Sequence, residues 1–154
     1  MSIEIGKIAP SFSANCDDGT VIDLSELRGK NVVLYFYPKD DTPGCTIEAK
    51  DFTSNIEKFV ALDAVVLGVS RDSIKSHCNF IQKYNLAFNL ISDEDSEICS
   101  AYGVLKEKSM FGKKYLGIDR STFVIDKKGT VVAAWHSVSV NGHVDKILEF
   151  LRKS

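Results

Sequence analysis

No stretch of the 154-residue sequence is apolar over the roughly 18 residues that a membrane span requires. The opening Met1-Ser2-Ile3-Glu4-Ile5-Gly6-Lys7 has neither the basic region nor the apolar run of a secretory signal, so the expected location is cytoplasmic. Net charge is also small: 19 Lys and Arg against 21 Asp and Glu leave -2. No overall field favours nucleic acid or an anionic membrane, and small molecules or proteins are the expected partners. Repeats, low-complexity tracts and Pro/Gly/Ser-rich linkers are missing too, so residues 1–154 read as one domain. Cys16, Cys45, Cys78 and Cys99 are widely scattered, and a chain of this size needs no disulfide framework to hold its core. Mostly free thiols in a reducing compartment are expected. Neither the cysteines nor His77, His136 and His143 show metal-ligand spacing, so neither a metal nor another cofactor is expected.

What is present alternates between strand and helix. Ser11 to Ala14 and Thr20 to Ile22 flank Asp17-Asp18-Gly19, a small hairpin by its turn residues. Asn31 to Tyr37 is a continuous β-branched and aromatic run, the mark of a strand covered on both faces. From Pro43 to Val60, Ala49, Phe52, Ile56, Phe59 and Val60 recur at helical spacing. Thr42 takes the N-cap position, with Pro43 first in the helix, where its missing N–H costs least. Strand 64–70, helix 73–84, strand 88–91 and helix 93–102 follow. A hairpin, 121–126 with 131–136, and a helix 143–152 close the chain. The pattern is α/β, a mixed central β-sheet flanked by helices with an N-terminal hairpin extension, which is the outline of a thioredoxin fold.

Cys45 falls in the first turn of the predicted helix, where free backbone N–H groups and the positive end of the helix dipole favour an anion. Such surroundings raise the thiolate fraction of a cysteine. Pro38 and Pro43 stiffen the loop, Gly44 removes a side chain beside the sulfur, and the Thr42 hydroxyl lies within reach of it. A cysteine at a helix start can also be a small packed residue, but strand, proline-flanked loop, cap and cysteine together favour a nucleophile. A dithiol centre of C-x-x-C type needs a second cysteine three residues on, and Glu48 occupies that position. An acyl-transfer nucleophile needs a histidine partner, and no local signature places one. Attack on an electrophilic oxygen ranks first.

The stretch Pro38, Thr42, Cys45 matches the P-x-x-x-T-x-x-C motif of the peroxiredoxins. The resemblance runs on through TPGCTIEA, GKIAPSFSANCDDG, LISDEDSEICSAYGV and EKSMFGKKYLGIDRSTFVIDKKG, so over nearly the whole chain. Within the family the sequence resembles the peroxiredoxin Q, or bacterioferritin comigratory protein, subgroup. The resemblance implies a thiol peroxidase acting on hydrogen peroxide and organic hydroperoxides without metal or haem. It is implied to be recycled by thioredoxin or a similar thiol, and to be monomeric. Carried over by position, Cys45 is the peroxidatic cysteine that becomes a sulfenic acid. Thr42 bonds the peroxide, Pro38 shields the sulfenate, and Arg120 holds the thiolate and stabilises charge on the leaving oxygen. Glu48 is matched as well, to orient Arg120 or to cap the helix.

The position five residues after Cys45, where many relatives carry a resolving cysteine, is Lys50. Cys78, in the following helix, is the candidate resolving cysteine, although relatives place theirs nearer position 81. Cys78 shares a helical face with Ile74 and Ile81, and packing explains it equally well. A one-cysteine enzyme resolved by an external thiol stays open, as does a reductase of other electrophiles using Cys45. Cys99 reads as a packed thiol and Cys16 as an exposed bystander. Lys106, Lys108, Lys113 and Lys114 with Phe111 and Tyr115 read as a solvated basic loop, the alternative being a docking surface for a partner or nucleic acid.

Overall fold

The computed structural model describes residues 3–154. Ser13–Asn15 (β1) and Val21–Asp23 (β2) form the N-terminal antiparallel hairpin, followed by a single 3-10 turn at Leu24–Leu27. The chain then runs Asn31–Phe36 (β3), Pro43–Ser54 (α1), Ile56–Ala61 (α2), Ala64–Ser70 (β4), Ile74–Tyr84 (α3) and Asn89–Ser92 (β5). Glu97–Ala101 (α4), Leu105–Met110 (β6), Lys113–Ile118 (β7), Ser121–Ile125 (β8), Val131–Trp135 (β9) and His143–Lys153 (α5) complete it. A five-stranded sheet in the order β5-β4-β3-β8-β9 lies at the centre. Its first three strands are parallel, and β8 and β9 are antiparallel to their neighbours.

β3 shows why the sheet is covered on both sides. Val33, Tyr35 and Tyr37 point into one apolar cluster with Cys45, Ala49 and Phe52 of α1, Phe80 of α3 and Ile147 and Leu151 of α5. Val32, Leu34 and Phe36 point into a second cluster with Cys16, Ile98, Cys99 and Tyr102. The period of two along an entirely apolar strand serves both faces. In the first cluster the Tyr35 and Phe52 rings stack at 4.6 Å. In β4, a Cβ on Gly68 would stand 2.7 Å from Leu90 and 3.0 Å from the Tyr35 ring, so only glycine admits that ring.

Four sequence expectations are corrected. The helix expected over 43–60 breaks at Asn55, whose side-chain amide donates to the Asp51 carbonyl at 2.8 Å and competes with the helical ladder. Phe52 and Phe59 stay buried across the break, but Val60 turns to solvent. The helix expected from Asp93 starts four residues later, because the buried Asp93 carboxylate accepts the N–H groups of Ile98 and Cys99 at 3.0 and 2.8 Å. The basic loop at 105–118 is a β-hairpin turning on Phe111-Gly112, both at positive φ (52° and 77°). Phenylalanine is a poor residue for that conformation, which hid the turn. Cys16, expected exposed, is fully buried, because its backbone bridges to Ile91 at the sheet edge.

Candidate active site

β3 ends at Phe36, and the loop after Tyr37 carries Pro38 and delivers Thr42 to the N-cap position of α1, with Pro43 first in the helix. The first bond of the helix runs from the Thr46 N–H to the Thr42 carbonyl at 2.8 Å, which leaves the N–H groups of Gly44 and Cys45 at the open end. The Thr42 side chain does not cap the helix. Its hydroxyl donates to the Lys39 carbonyl at 2.8 Å, which leaves its lone pairs free to accept. Cys45 stands in that first turn, 1% exposed.

Arg120, between β7 and β8, reaches across to the sulfur. Its Nη2 donates to Cys45 Sγ at 3.3 Å and its Nη1 to Glu48 Oε1 at 2.8 Å. One guanidinium fork is thereby held by a carboxylate one helical turn beyond the thiol it serves. Glu48 is 1% exposed, and its Oε2 has no partner among the described residues. Burial pushes its carboxyl up to about 7, against the opposing pull of Arg120. Gly44 makes the approach possible: a Cβ there would sit 3.1 Å from Arg120 Nη2.

The remaining cysteines lie in different surroundings. Cys78 is half-buried, and its Sγ donates to the Asp17 carbonyl at 3.0 Å, beside the N-terminal hairpin turn. The fully buried residues of α3 are His77 and Phe80, while Ile81 packs against the core from a partly buried position. Burial and the nearby Asp93 push the Cys99 thiol far up, and burial followed by Asp18 raises that of Cys16, so both stay protonated and inert. All four cysteines are free. Of the hairpin lysines, Lys106 pairs with Asp119, Lys114 with Glu107, and Lys108 donates to the Ile118 carbonyl.

Asp40 and His77, to which the sequence assigns no role, form a buried pair at 2.7 Å directly under the loop. The Asp-His signal is invisible in the chain because 37 positions separate the two. Asp40, Asp72 and His77 bring ligand atoms within 4.8 Å of one another. Both His77 ring nitrogens already face acceptors, however, so the imidazole has no free lone pair for a cation.

A single cysteine at a helix entrance, gripped by a carboxylate-anchored arginine on a thioredoxin-like sheet, defines a thiol-dependent peroxidase rather than a dithiol exchanger. The chain belongs to the AhpC/TSA family, whose model matches residues 5–134, and within it to the peroxiredoxin Q, or bacterioferritin comigratory protein, subgroup. It is 51% identical over 148 residues to a putative peroxiredoxin bcp of Coxiella burnetii, covering 96% of this chain and 98% of the relative. It is 49% identical over 152 residues to peroxiredoxin Bcp of Bacillus subtilis, covering 99% and 97%. Among solved structures it matches Xanthomonas campestris peroxiredoxin Q with a TM-score of 0.89 at 48% identity, over 92% of this chain and 90% of that one. A further Xanthomonas structure, of the bacterioferritin comigratory protein, concerns alkyl peroxide reduction; it matches at 0.88 and 47% identity, over 92% and 90% of the two chains. The protein is thus a thiol peroxidase, and among its described residues no helix is long and apolar enough to cross a membrane.

Proposed function

We propose that the protein, working as a single domain and as a monomer in the cytoplasm, reduces hydrogen peroxide and organic hydroperoxides through Cys45. Thioredoxin or a similar dithiol recycles it. The observation that carries this reading is the Arg120 fork, one arm on the Cys45 sulfur and the other on Glu48. The guanidinium donates to the sulfur that attacks, and the same group is in place for charge that builds on the peroxide oxygens. The thiolate attacks the nearer peroxide oxygen, the O–O bond breaks, and the leaving oxygen takes the bond pair. With one proton it departs as water or alcohol, leaving Cys45 as a sulfenic acid. The Thr42 oxygen, its own proton engaged by Lys39, accepts the hydrogen bond of the incoming peroxide. Pro38, half-buried at the start of the loop, keeps water from the sulfenic acid.

A second thiol then attacks the sulfenic acid and releases water, and the dithiol reductant opens the resulting disulfide. Cys78 is our candidate for that second thiol, with an external thiol as the alternative. Cys78 is held by Asp17 and Cys45 by Arg120. A bond between them needs Cα atoms within about 7 Å, and we expect the start of α1 to unwind locally to allow it. In peroxidase turnover coupled to thioredoxin and its reductase, Cys45→Ser abolishes activity. Mass spectrometry after one equivalent of peroxide finds a 45–78 disulfide; a stable oxidised Cys45 beside a free Cys78 would establish the one-cysteine route instead.

A further inference from the structure

Asp40 lies in the loop between Pro38 and Thr42, and its carboxylate is buried under three donors. The Tyr37 hydroxyl donates to Oδ1 at 2.6 Å, and the Ser76 hydroxyl to Oδ2 at 2.8 Å. His77 Nδ1 lies 2.7 Å from the same Oδ2, and the Asp40 N–H donates to the Asp72 carboxylate at 2.9 Å. His77 is fully buried, and its Nε2 stands 2.9 Å from the Ile91 carbonyl of β5. A carbonyl oxygen can only accept, so Nε2 carries a proton. With a carboxylate at Nδ1 the ring has an acceptor at both nitrogens, the environment of an imidazolium.

The loop that this pair anchors is strained. Asp41 has φ of +57°, and its exposed carboxylate accepts from Tyr84 at 2.6 Å and Lys83 at 2.7 Å, both on α3. A non-glycine residue in that region persists only where its surroundings over-determine it. One tie to α3 is exposed and screened by solvent; the other is the Asp40 carboxylate, held by the buried His77 ring and by the Ser76 hydroxyl.

We propose that His77 is a positioning residue of the peroxide site. As an imidazolium between Asp40 and Ile91, it clamps the Pro38–Thr42 loop onto α3, keeps Thr42 and the first turn of the Cys45 helix in place, and releases them on losing its proton. The inference rests on Cys45 being the peroxidatic residue. Burial alone would push the His77 ring towards neutrality. The hydrogen bond and charge of Asp40, the Ile91 carbonyl and the charge of Asp72 more than offset it, and the net shift is upward. Among the described residues, the other groups bonded to the pair are the neutral hydroxyls of Tyr37 and Ser76, neither of them a cation. The clamp therefore stays closed to a higher pH than an ordinary histidine would allow, and opens as pH rises through the His77 titration.

The test uses the reduced full-length chain. Nitrogen-15 NMR of labelled histidine is expected to show both His77 nitrogens protonated at about pH 7 and above, beyond the ordinary histidine range. A singly protonated ring at neutral pH overturns the proposal. Hydrogen exchange on the wild type needs no variant. Protection of the amides of residues 40–46, corrected for the base-catalysed chemical rate, is expected to fall as His77 deprotonates; unchanged protection overturns the clamp. The rate of Cys45 oxidation by hydrogen peroxide, measured by competition, is expected to drop about tenfold in His77→Gln at pH near 6.5, a cost typical of a displaced reacting group. The gap closes towards the alkaline end, where the wild type has also lost its clamp. An equal loss at every pH, or none, overturns it. Failure of the Cys45 assignment looks different: the wild type itself leaves peroxide unreduced, whatever the NMR and exchange arms show.

Discussion

Gly44 is the residue at which the smallest change should tell most. Its missing side chain lets the Arg120 guanidinium close on the sulfur, and a Cβ 3.1 Å from Nη2 forces the arginine back by a few tenths of an ångström. Helix propensity favours alanine over glycine at such a site. Gly44→Ala should therefore lower the rate of Cys45 oxidation about tenfold or more while leaving the thermal midpoint unchanged or raised, read by stopped-flow kinetics and calorimetry. Reactivity and exposure should also separate among the cysteines. A bulky maleimide should label half-buried Cys78 first, whereas hydrogen peroxide should oxidise Cys45, which is 1% exposed. Peptide mapping after each reagent checks the order. The placement of Cys45 and Thr42 was legible because it is local: a helix start marked by Thr42 and Pro43, and a thiol within its first turn. The Arg120 contact, bridging 75 positions, was legible only through family resemblance.

Among the elements, the β6–β7 hairpin is the one whose turn residue works against its turn. Phe111 holds φ of +52° at a tip where its ring is 98% exposed, so the strain is not repaid by burial. Phe111→Asn should stabilise the protein by about 0.5–1 kcal/mol, since asparagine tolerates the left-handed region and Asn-Gly suits this two-residue turn. Urea unfolding measures it; a lower midpoint would mean that the ring has a packing role. The same hairpin shows why a sequence reading falters there. Its strands are mostly exposed, with no buried face repeating at every second residue, so no hydrophobic period announces them. At Asn55 and Asp93 the failure has another origin. Side chains that bond to the backbone end or delay helices that the apolar spacing alone would extend.

For the molecule as a whole, two buried titrating groups give stability opposite pH slopes. Glu48 is raised by burial to about 7, so the folded state holds a proton that the unfolded chain has released above the ordinary carboxylate range. Stability from this source falls as pH rises to about 7, and the loss is complete above it. His143, at the start of α5 beside Thr122, is held down to about 4, by burial first and then by Lys146 and Arg120. It binds its proton later than the unfolded chain, so stability is lost as pH falls from about 6.5 to about 4. Denaturation across pH should show Glu48→Gln gaining on the wild type as pH climbs from about 5 to 7. His143→Gln should gain as pH drops below about 6. Parallel curves for variant and wild type would rule out either contribution.

Composition and periodicity alone established an α/β chain with a doubly covered β3, the succession of its main strands and helices, and a thiol at a helix entrance. These depend on neighbours within one or two turns, which apolar spacing and cap residues record directly. The Arg120–Glu48 fork beneath Cys45, the burial of Cys16, the placement of Cys78 against Asp17 and the Asp40–His77 pair arise where segments 14 to 75 positions apart meet on the sheet. Burial and hydrogen-bond partners at those meetings are products of packing, and packing brings together side chains whose separation along the chain carries no signal.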